Sequence, residues 1–241
     1  MGGEAAYRRV LLKVSGEAFC APGGSGIQPA ALQALVGELA GAREMGVQLA
    51  MVPGGGNFFR GRVLAQGGAI DRHTADAMGM LATVMNALAL ADALEAVGIP
   101  ARATSAVAMG EMCEPFDRRR VVEHLEAGRV VLLGGGTGQP FFTTDTCAAL
   151  RACQIGADAL FKATKVDGVF EADPATHPQA AKFDRLTYGE VLSRQLGVMD
   201  LAAVSLCMES RIPVVVFKLD KPGNLAAAMR GEPVGTLVCA E

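Results

Sequence analysis

Short apolar runs alternate along the chain with longer segments whose apolar positions recur at helical spacing. That alternation predicts repeated strand–helix units around a mostly parallel sheet, hence an α/β fold. Strands are expected at Val10–Val14, Gln48–Val52, Ala101–Ser105, Val130–Leu133, Ala159–Lys162 and Val214–Phe217. The buried ones run continuously apolar, as strands covered on both faces do. Helices are expected at Pro29–Met45, Asp71–Val97, Asp117–Ala127, Thr144–Ile155, Tyr188–Leu196, Asp200–Ser210 and Asn224–Met229. Pro29 in a first turn, and Gly46, Gly98 and Gly128 just past helix ends, punctuate them. The segment from Asp167 to Arg185, with Asp173-Pro174 and His177-Pro178, breaks the rhythm and reads as a loop or small hairpin flap beside a ligand site.

The 241 residues are 51% hydrophobic and 20% charged, with mean hydropathy +0.30, which excludes a disordered or collagen-like chain. No repeat or tether divides the sequence, so one domain over residues 1–241 is expected, with residues 1–8 a flexible N-terminus. Against 25 Asp and Glu stand 22 Lys and Arg, a net charge of −3. No overall positive field therefore draws the protein to nucleic acid or an anionic membrane, and a phosphate site must be local. The Arg118-Arg119-Arg120 triplet reads as a solvated helix face. Six cysteines without a CxxC pair suit free thiols in a reducing cytoplasm. Pro22, the glycines at 23, 24 and 26, and Pro29 break the longest uncharged stretch; Met78 to Ala91 is too short to span a bilayer; Met1 to Arg9 lacks a signal peptide's apolar region. A soluble cytoplasmic protein with no membrane partner is expected.

Candidate chemistry gathers at strand ends. Gly54-Gly55-Gly56-Asn57, Gly134-Gly135-Gly136-Thr137-Gly138 and Ser15-Gly16 each follow an apolar strand, where open α/β sheets bind ligands. Glycine lets the backbone approach a phosphate and present N–H groups. A tight turn explains one such loop; three favour an anionic ligand. Neither Gly-Lys-Ser/Thr nor GxGxxG occurs, which weakens ordinary P-loop and Rossmann readings. Lys13, inside an apolar strand, either needs a partner or sits solvated at the strand end. Thr143-Thr144-Asp145-Thr146 places hydroxyls and a carboxylate at a helix start, where capping alone would suffice. Yet the string from Gly136 to Asp145, uncharged until its last residue and carrying Pro140-Phe141-Phe142, is odd for a connector. Lys162 and Lys165 stand at the end of another strand, with Asp173 beyond. His73, His124 and His177 lack zinc-ligand spacing, and no G-x-S-x-G marks a serine hydrolase. Lysines, arginines, glycine amides and aspartates remain, an inventory suited to phosphoryl transfer.

Taken together, Lys13-Val14-Ser15-Gly16-Glu17, Gly54-Gly55-Gly56-Asn57-x-x-Arg60-Gly61, the helix string from Met78 to Asn86, Thr137-Gly138-x-Pro140-Phe141-Phe142-Thr143-Thr144-Asp145 and the string from Lys162 to Phe170 resemble the bacterial uridine monophosphate kinases of the amino-acid-kinase superfamily. The resemblance implies a three-layer α/β/α sandwich, transfer of the ATP γ-phosphate to UMP with Mg held mainly by nucleotide phosphates and water, and a homohexamer. It implies ATP-phosphate contacts at Lys13, Ser15, Gly16, Gly56 and Arg60, and contacts to the ATP nucleoside at Thr164, Phe170 and Asp173. The UMP site would comprise Gly55, Asp76 and the run Thr137, Gly138, Gln139, Pro140, Phe141, Phe142, Thr143 and Thr144. Asp76 would accept from a ribose hydroxyl; read without the family, it is a dipole partner at a helix start. For catalysis the expected set is Lys13 and Lys165 as neutralising cations, Arg60 as phosphate clamp, and Asp145 and Asp200 as orienters of lysines or of the metal's water shell. Arg102 and Arg129 fall where the family places contacts to its effectors GTP and UTP. The sequence departs from the family at Gln139, where asparagine is usual.

Two other classes compete. A nucleotide-binding storage or regulatory protein on the same fold would keep the glycine loops and lose the cations, but Lys13 and Lys165 are both present. A DNA-binding role is disfavoured by the net charge of −3.

Overall fold

In a computed structural model that describes residues 5–59 and 70–240, the chain builds one large sheet with helices on both faces. The strands are β1 (Arg9–Val14), β2 (Gln48–Pro53), β3 (Ala101–Ser105), β4 (Glu114–Pro115), β5 (Val130–Gly134), β6 (Ala159–Thr164), β7 (Val169–Phe170), β8 (Lys182–Phe183), β9 (Arg185–Thr187), β10 (Val214–Lys218) and β11 (Thr236–Cys239). The helices are α1 (Pro29–Glu44), α2 (Arg72–Ala96), α3 (Arg118–Glu126), α4 (Thr144–Ile155), α5 (Tyr188–Ser193), α6 (Leu201–Glu209) and α7 (Asn224–Met229). The nine-stranded sheet runs β4-β3-β5-β2-β1-β6-β10-β11-β9, and β7 with β8 forms a separate antiparallel hairpin. Only the β10–β11 pairing within the large sheet is antiparallel. The expected α/β fold is the one observed, and the flap between Asp167 and Arg185 holds the hairpin.

Strand alternation divides the core into two layers. Val10, Leu12 and Val14 of β1 point to one face with Phe161 and Phe217, where α1, α2 and α7 cover them. Leu11 points to the other with Leu160 and Val216, under α3, α4, α5 and α6. Connections leave β1 toward β2 and β6 toward β10, so a crevice opens between β1 and β6 at their carboxyl ends.

The expected helices at Asp71, Asp117 and Asp200 each begin one residue later. The aspartate is a cap in extended conformation whose side chain accepts an amide of the first turn. The helix from Tyr188 stops at Ser193 because Gln195 takes φ +51°. Strands β9 and β11 lack a long apolar run and were not expected; their pairing with each other and with β10 creates them. The apolar segment around Met78 to Ala91 belongs to the 25-residue α2, which by length and composition could cross a membrane. Here Ala82, Ala87, Leu90 and Leu94 are buried against the protein, while Leu81 and Met85 remain exposed.

A buried asparagine pair ties the first glycine loop to α2. Asn86, fully buried, donates to Gly54 O at 2.7 Å and to Asn57 Oδ1 at 2.8 Å, and accepts from Asn57 Nδ2 at 3.0 Å. Asn57 also donates to Gly26 O at 2.8 Å. Asn86→Ala strands the Gly54 carbonyl and the Asn57 side chain away from water, each orphan costing ~1–3 kcal/mol. Thermal or urea unfolding is expected to show a loss of about 3 kcal/mol, and a loss below about 1 kcal/mol would deny the pair this role.

Candidate active site

The register of β1 on β6 creates the charged centre. Lys13 and Lys162 are direct cross-strand partners, and alternation turns both toward α4. Asp145 in the first turn of α4 meets them there: Oδ1 lies 2.9 Å from Lys13 Nζ, an ion pair without hydrogen-bond alignment, and Oδ2 accepts from Lys162 Nζ at 2.7 Å. Lys162 also donates to Val198 O, just before α6. Two ammonium groups thus share one carboxylate, which leaves one unit of positive charge within this trio, with the Asp200 carboxylate near enough to act on Lys162.

Burial opposes ionisation of Asp145, but Lys13 and Lys162 together outweigh it and hold the carboxyl below its ordinary range. It stays ionised at neutral pH, so its stabilising contribution is complete above the ordinary carboxyl value and is lost as pH falls from there through the lowered one. For Lys162, burial is the largest influence and lowers the ammonium below its ordinary value; Asp145 offsets part of this and Lys13 adds repulsion.

Asp200 works one step away. Its carboxylate accepts from Thr143 Oγ1, from Thr146 Oγ1 at 2.8 and 2.9 Å, and from the Ala203 amide at 3.0 Å. It therefore caps α6 and fastens it to the start of α4, where Thr143 accepts the amides of Asp145 and Thr146. Lys165 stands apart from this cluster: largely exposed, it pairs with Glu17 Oε2 at 2.5 Å. The structure thus brings Lys162, rather than Lys165, to Asp145. The β1–β6 register decides this: it sets Lys162 beside Lys13, whereas Lys165 lies beyond the end of β6.

The glycine loops serve close packing. A Cβ on Gly16 would stand 2.4 Å from Gly56 N, and one on Gly54 2.7 Å from Gly16 N, so these two loops lie backbone against backbone. Gly55 abuts α2, where a Cβ would come within 2.9 Å of Ala82 Cβ and of Gly79 O. Gly56 alone of this triplet faces open space. Gly135, at φ +76°, donates its amide to Thr83 Oγ1 at 2.9 Å.

Two cavities flank the start of α4. The larger, about 610 Å³, is lined by Lys13, Ser15, Lys162, Thr164, Lys165 and the hairpin residues Phe170 and Asp173, among others. The smaller, about 100 Å³, is walled by Asp76, Gly136, Thr137, Gln139, Phe142, Thr143 and Thr144, with Met80 and Thr83 of α2 beneath. Asp76 lies inside α2, in its second turn, and not at the helix start; Asp71 is the cap. Asp76 Oδ2 accepts from Arg72 Nε at 2.7 Å and from the Phe141 amide at 2.8 Å. Phe141 is held at φ +70°, strained for a bulky residue. Gln139 and Thr137 bond to each other across the loop. Pro140 and Gly138 shape the same turn, and Gly138 donates to Gly135 O at 3.0 Å. Arg60 lies outside the described residues.

Arg102 lies on β3, and Arg129 immediately precedes β5. Arg102 pairs with Glu95 at 2.6 Å and lies 4.0 Å from Glu114; Arg129 meets His124 Nδ1 at 2.8 Å. None of the three histidines lines either cavity. Among the described residues no cluster of histidine, cysteine and carboxylate side chains could cage a metal ion, and the carboxylates of Asp145 and Asp200 are already engaged.

A crevice of this charge at the carboxyl ends of parallel strands defines a phosphate-handling α/β protein. Residues 8–218 match the amino acid kinase family, and the chain belongs to that family. Among solved structures it is similar to the UMP kinase from Bacillus anthracis, with 37% identity and a TM-score of 0.94 over 98% of this chain and 97% of that one. The UMP kinase from Ureaplasma parvum is 31% identical, TM-score 0.90, over 96% and 98% of the two chains. The uridylate kinase from Archaeoglobus fulgidus is 30% identical, TM-score 0.71, over 95% and 99%.

The lowered ammonium of Lys162 sets an expected alkaline limb of turnover: as pH rises through its value the centre loses a positive charge. Lys162→Arg keeps that charge and is expected to move the limb up by at least ~1 pH unit. Rates measured from pH 7 to 10.5 decide this, and an unmoved limb assigns it to another group.

Proposed function

We propose that this protein is a UMP kinase that transfers the γ-phosphate of ATP to UMP, giving UDP and ADP for pyrimidine nucleotide synthesis. The observation that carries the reading is the Lys13–Asp145–Lys162 centre between a large and a small cavity. Its surplus positive charge suits a transferring phosphoryl group, whose reaction needs positioning and charge neutralisation. ATP fits the larger cleft, with Lys13, Ser15, Gly16 and Gly56 toward its phosphates and Thr164, Phe170 and Asp173 toward its nucleoside; Arg60, a phosphate contact by the resemblance, lies outside the described residues. UMP would enter the smaller pocket, whose volume of about 100 Å³ encloses only part of a nucleotide, with Asp76, Thr137, Gln139, Phe142, Thr143 and Thr144 lining it and Gly55, Gly138, Pro140 and Phe141 as further contacts by the resemblance. Mg enters as part of the ATP substrate; with the nearby carboxylates engaged, nucleotide phosphates and water would supply its ligands.

No general base is required. The attacking atom is a UMP phosphate oxygen, and a phosphate monoester loses its second proton near pH ~6, so the nucleophile is already anionic at pH 7. The protein must bring two anions together, and Lys13, Lys162 and the glycine amides reduce their repulsion.

Lys13→Met is expected to lower kcat at least ~100-fold, about 2.7 kcal/mol of transition-state stabilisation, with UMP affinity little changed. Steady-state kinetics with both substrates varied checks this, and near-normal kcat would remove Lys13 from phosphoryl transfer. Asp76 has one oxygen occupied by Arg72 and Phe141, which leaves the other for a ribose hydroxyl. Asp76→Asn should therefore impair UMP more than dUMP, since a carboxylate is the stronger acceptor; equal losses would exclude sugar recognition.

The reading extends to a homohexamer in the cytoplasm, with GTP and UTP as effectors near Arg102 and Arg129. Leu81 and Met85, one turn apart on α2 and 46% and 42% exposed, support a subunit contact there. Light scattering should give six chains for the native protein and fewer for Leu81→Glu with Met85→Glu.

A further inference from the structure

The strongest unassigned feature is a buried cation behind the smaller pocket. Arg151, on α4, is only 5% exposed, and no carboxylate among the described residues lies within ion-pair reach of it. Its guanidinium carbon stacks 3.6 Å over the centre of the Phe116 ring. One nitrogen donates to Gln154 Oε1 at 2.6 Å and the other, over a longer 3.4 Å, to Gly136 O, and the buried, neutral Cys147 thiol also contacts the guanidinium. A buried charge without a counter-ion is costly, and neutral partners repay only part of that cost. The Gly136 carbonyl thus opens onto the buried cation behind the pocket, whereas Gly136 and Thr137 form the pocket wall itself.

Peptide geometry turns this into a device. The Gly136–Thr137 unit is planar and trans, so its C=O and N–H point in opposite directions. With the carbonyl drawn back onto Arg151, the Thr137 N–H is sent the other way, and no acceptor for it exists among the described residues. A cation on the carbonyl oxygen also polarises the amide and strengthens its N–H as a donor. The geometry points to Arg151 as a positioning residue that presents the Thr137 amide to an oxygen of the acceptor nucleotide. Phe116 holds the guanidinium flat, and Gly136 at φ +57° lets the loop make the turn. This inference rests on placing UMP in the smaller pocket.

The test compares Arg151→Met, Arg151→Lys and Phe116→Leu with the native enzyme. Each is assayed for kcat, for KM of UMP and of ATP, for UMP binding without ATP by calorimetry, and for Tm. Arg151→Met should raise KM and Kd for UMP at least ~10-fold while KM for ATP moves less than ~2-fold; Arg151→Lys, which keeps the charge and loses the fork, should recover part of the loss. If Arg151→Met does not fold, Phe116→Leu decides, with an expected ~3-fold rise in KM for UMP alone. A fall in Tm with UMP binding unchanged would overturn the proposal, as would a rise confined to KM for ATP. The kinase reading fails separately, if the native protein does not phosphorylate UMP.

Discussion

Everything at the site depends on one pairing of strands, β1 against β6, and on the carboxylate that makes it tolerable. Register sets Lys13 opposite Lys162, two like charges taken out of water side by side. Each ammonium repels the other, and Lys13 pushes the Lys162 ammonium down. Asp145 supplies two attractions against that one repulsion and does so from α4, which binds the helix layer to the sheet. Asp200 and Thr143 extend the tie to α6. The same arithmetic leaves a positive remainder, and that remainder is what a phosphate can satisfy.

Around this centre the backbone is packed more tightly than side chains would allow. Gly16, Gly54 and Gly55 are in place because neighbouring backbone or α2 occupies the space of a Cβ. The Asn57–Asn86 pair holds the arrangement from beneath, satisfying a loop carbonyl that would otherwise be buried alone. The result is a set of amides and charges fixed before any ligand arrives, as electrostatic catalysis of phosphoryl transfer requires. Lys165, largely exposed, stands at the outer rim of this set.

Much of the fold was legible because its central strands and long helices carry strong local signals. β3, α4 and α7 fall where hydrophobic period and caps put them, and Asp71, Asp117 and Asp200 mark helix starts as capping residues. β9 and β11 were not legible, since four residues or fewer cannot display a period and owe their strand form to partners far away in the chain. For the site, Lys13, Asp145 and the glycine loops could be singled out from residue type and position alone.

Which of those residues would meet was a different matter. The sequence by itself determined the α/β class, the strand ends where chemistry would gather, and the stock of cations and glycines from which a phosphate site could be built, because these follow from local period and residue type. Only the tertiary structure decided that Lys162 rather than Lys165 faces Asp145, that Asp76 lies within α2 and accepts the Phe141 amide, and that Arg151 backs the Gly136 carbonyl. Those contacts join residues from 15 to 65 positions apart. They are set by strand register and helix docking, which depend on how the whole core packs and leave no trace in the residues around either partner.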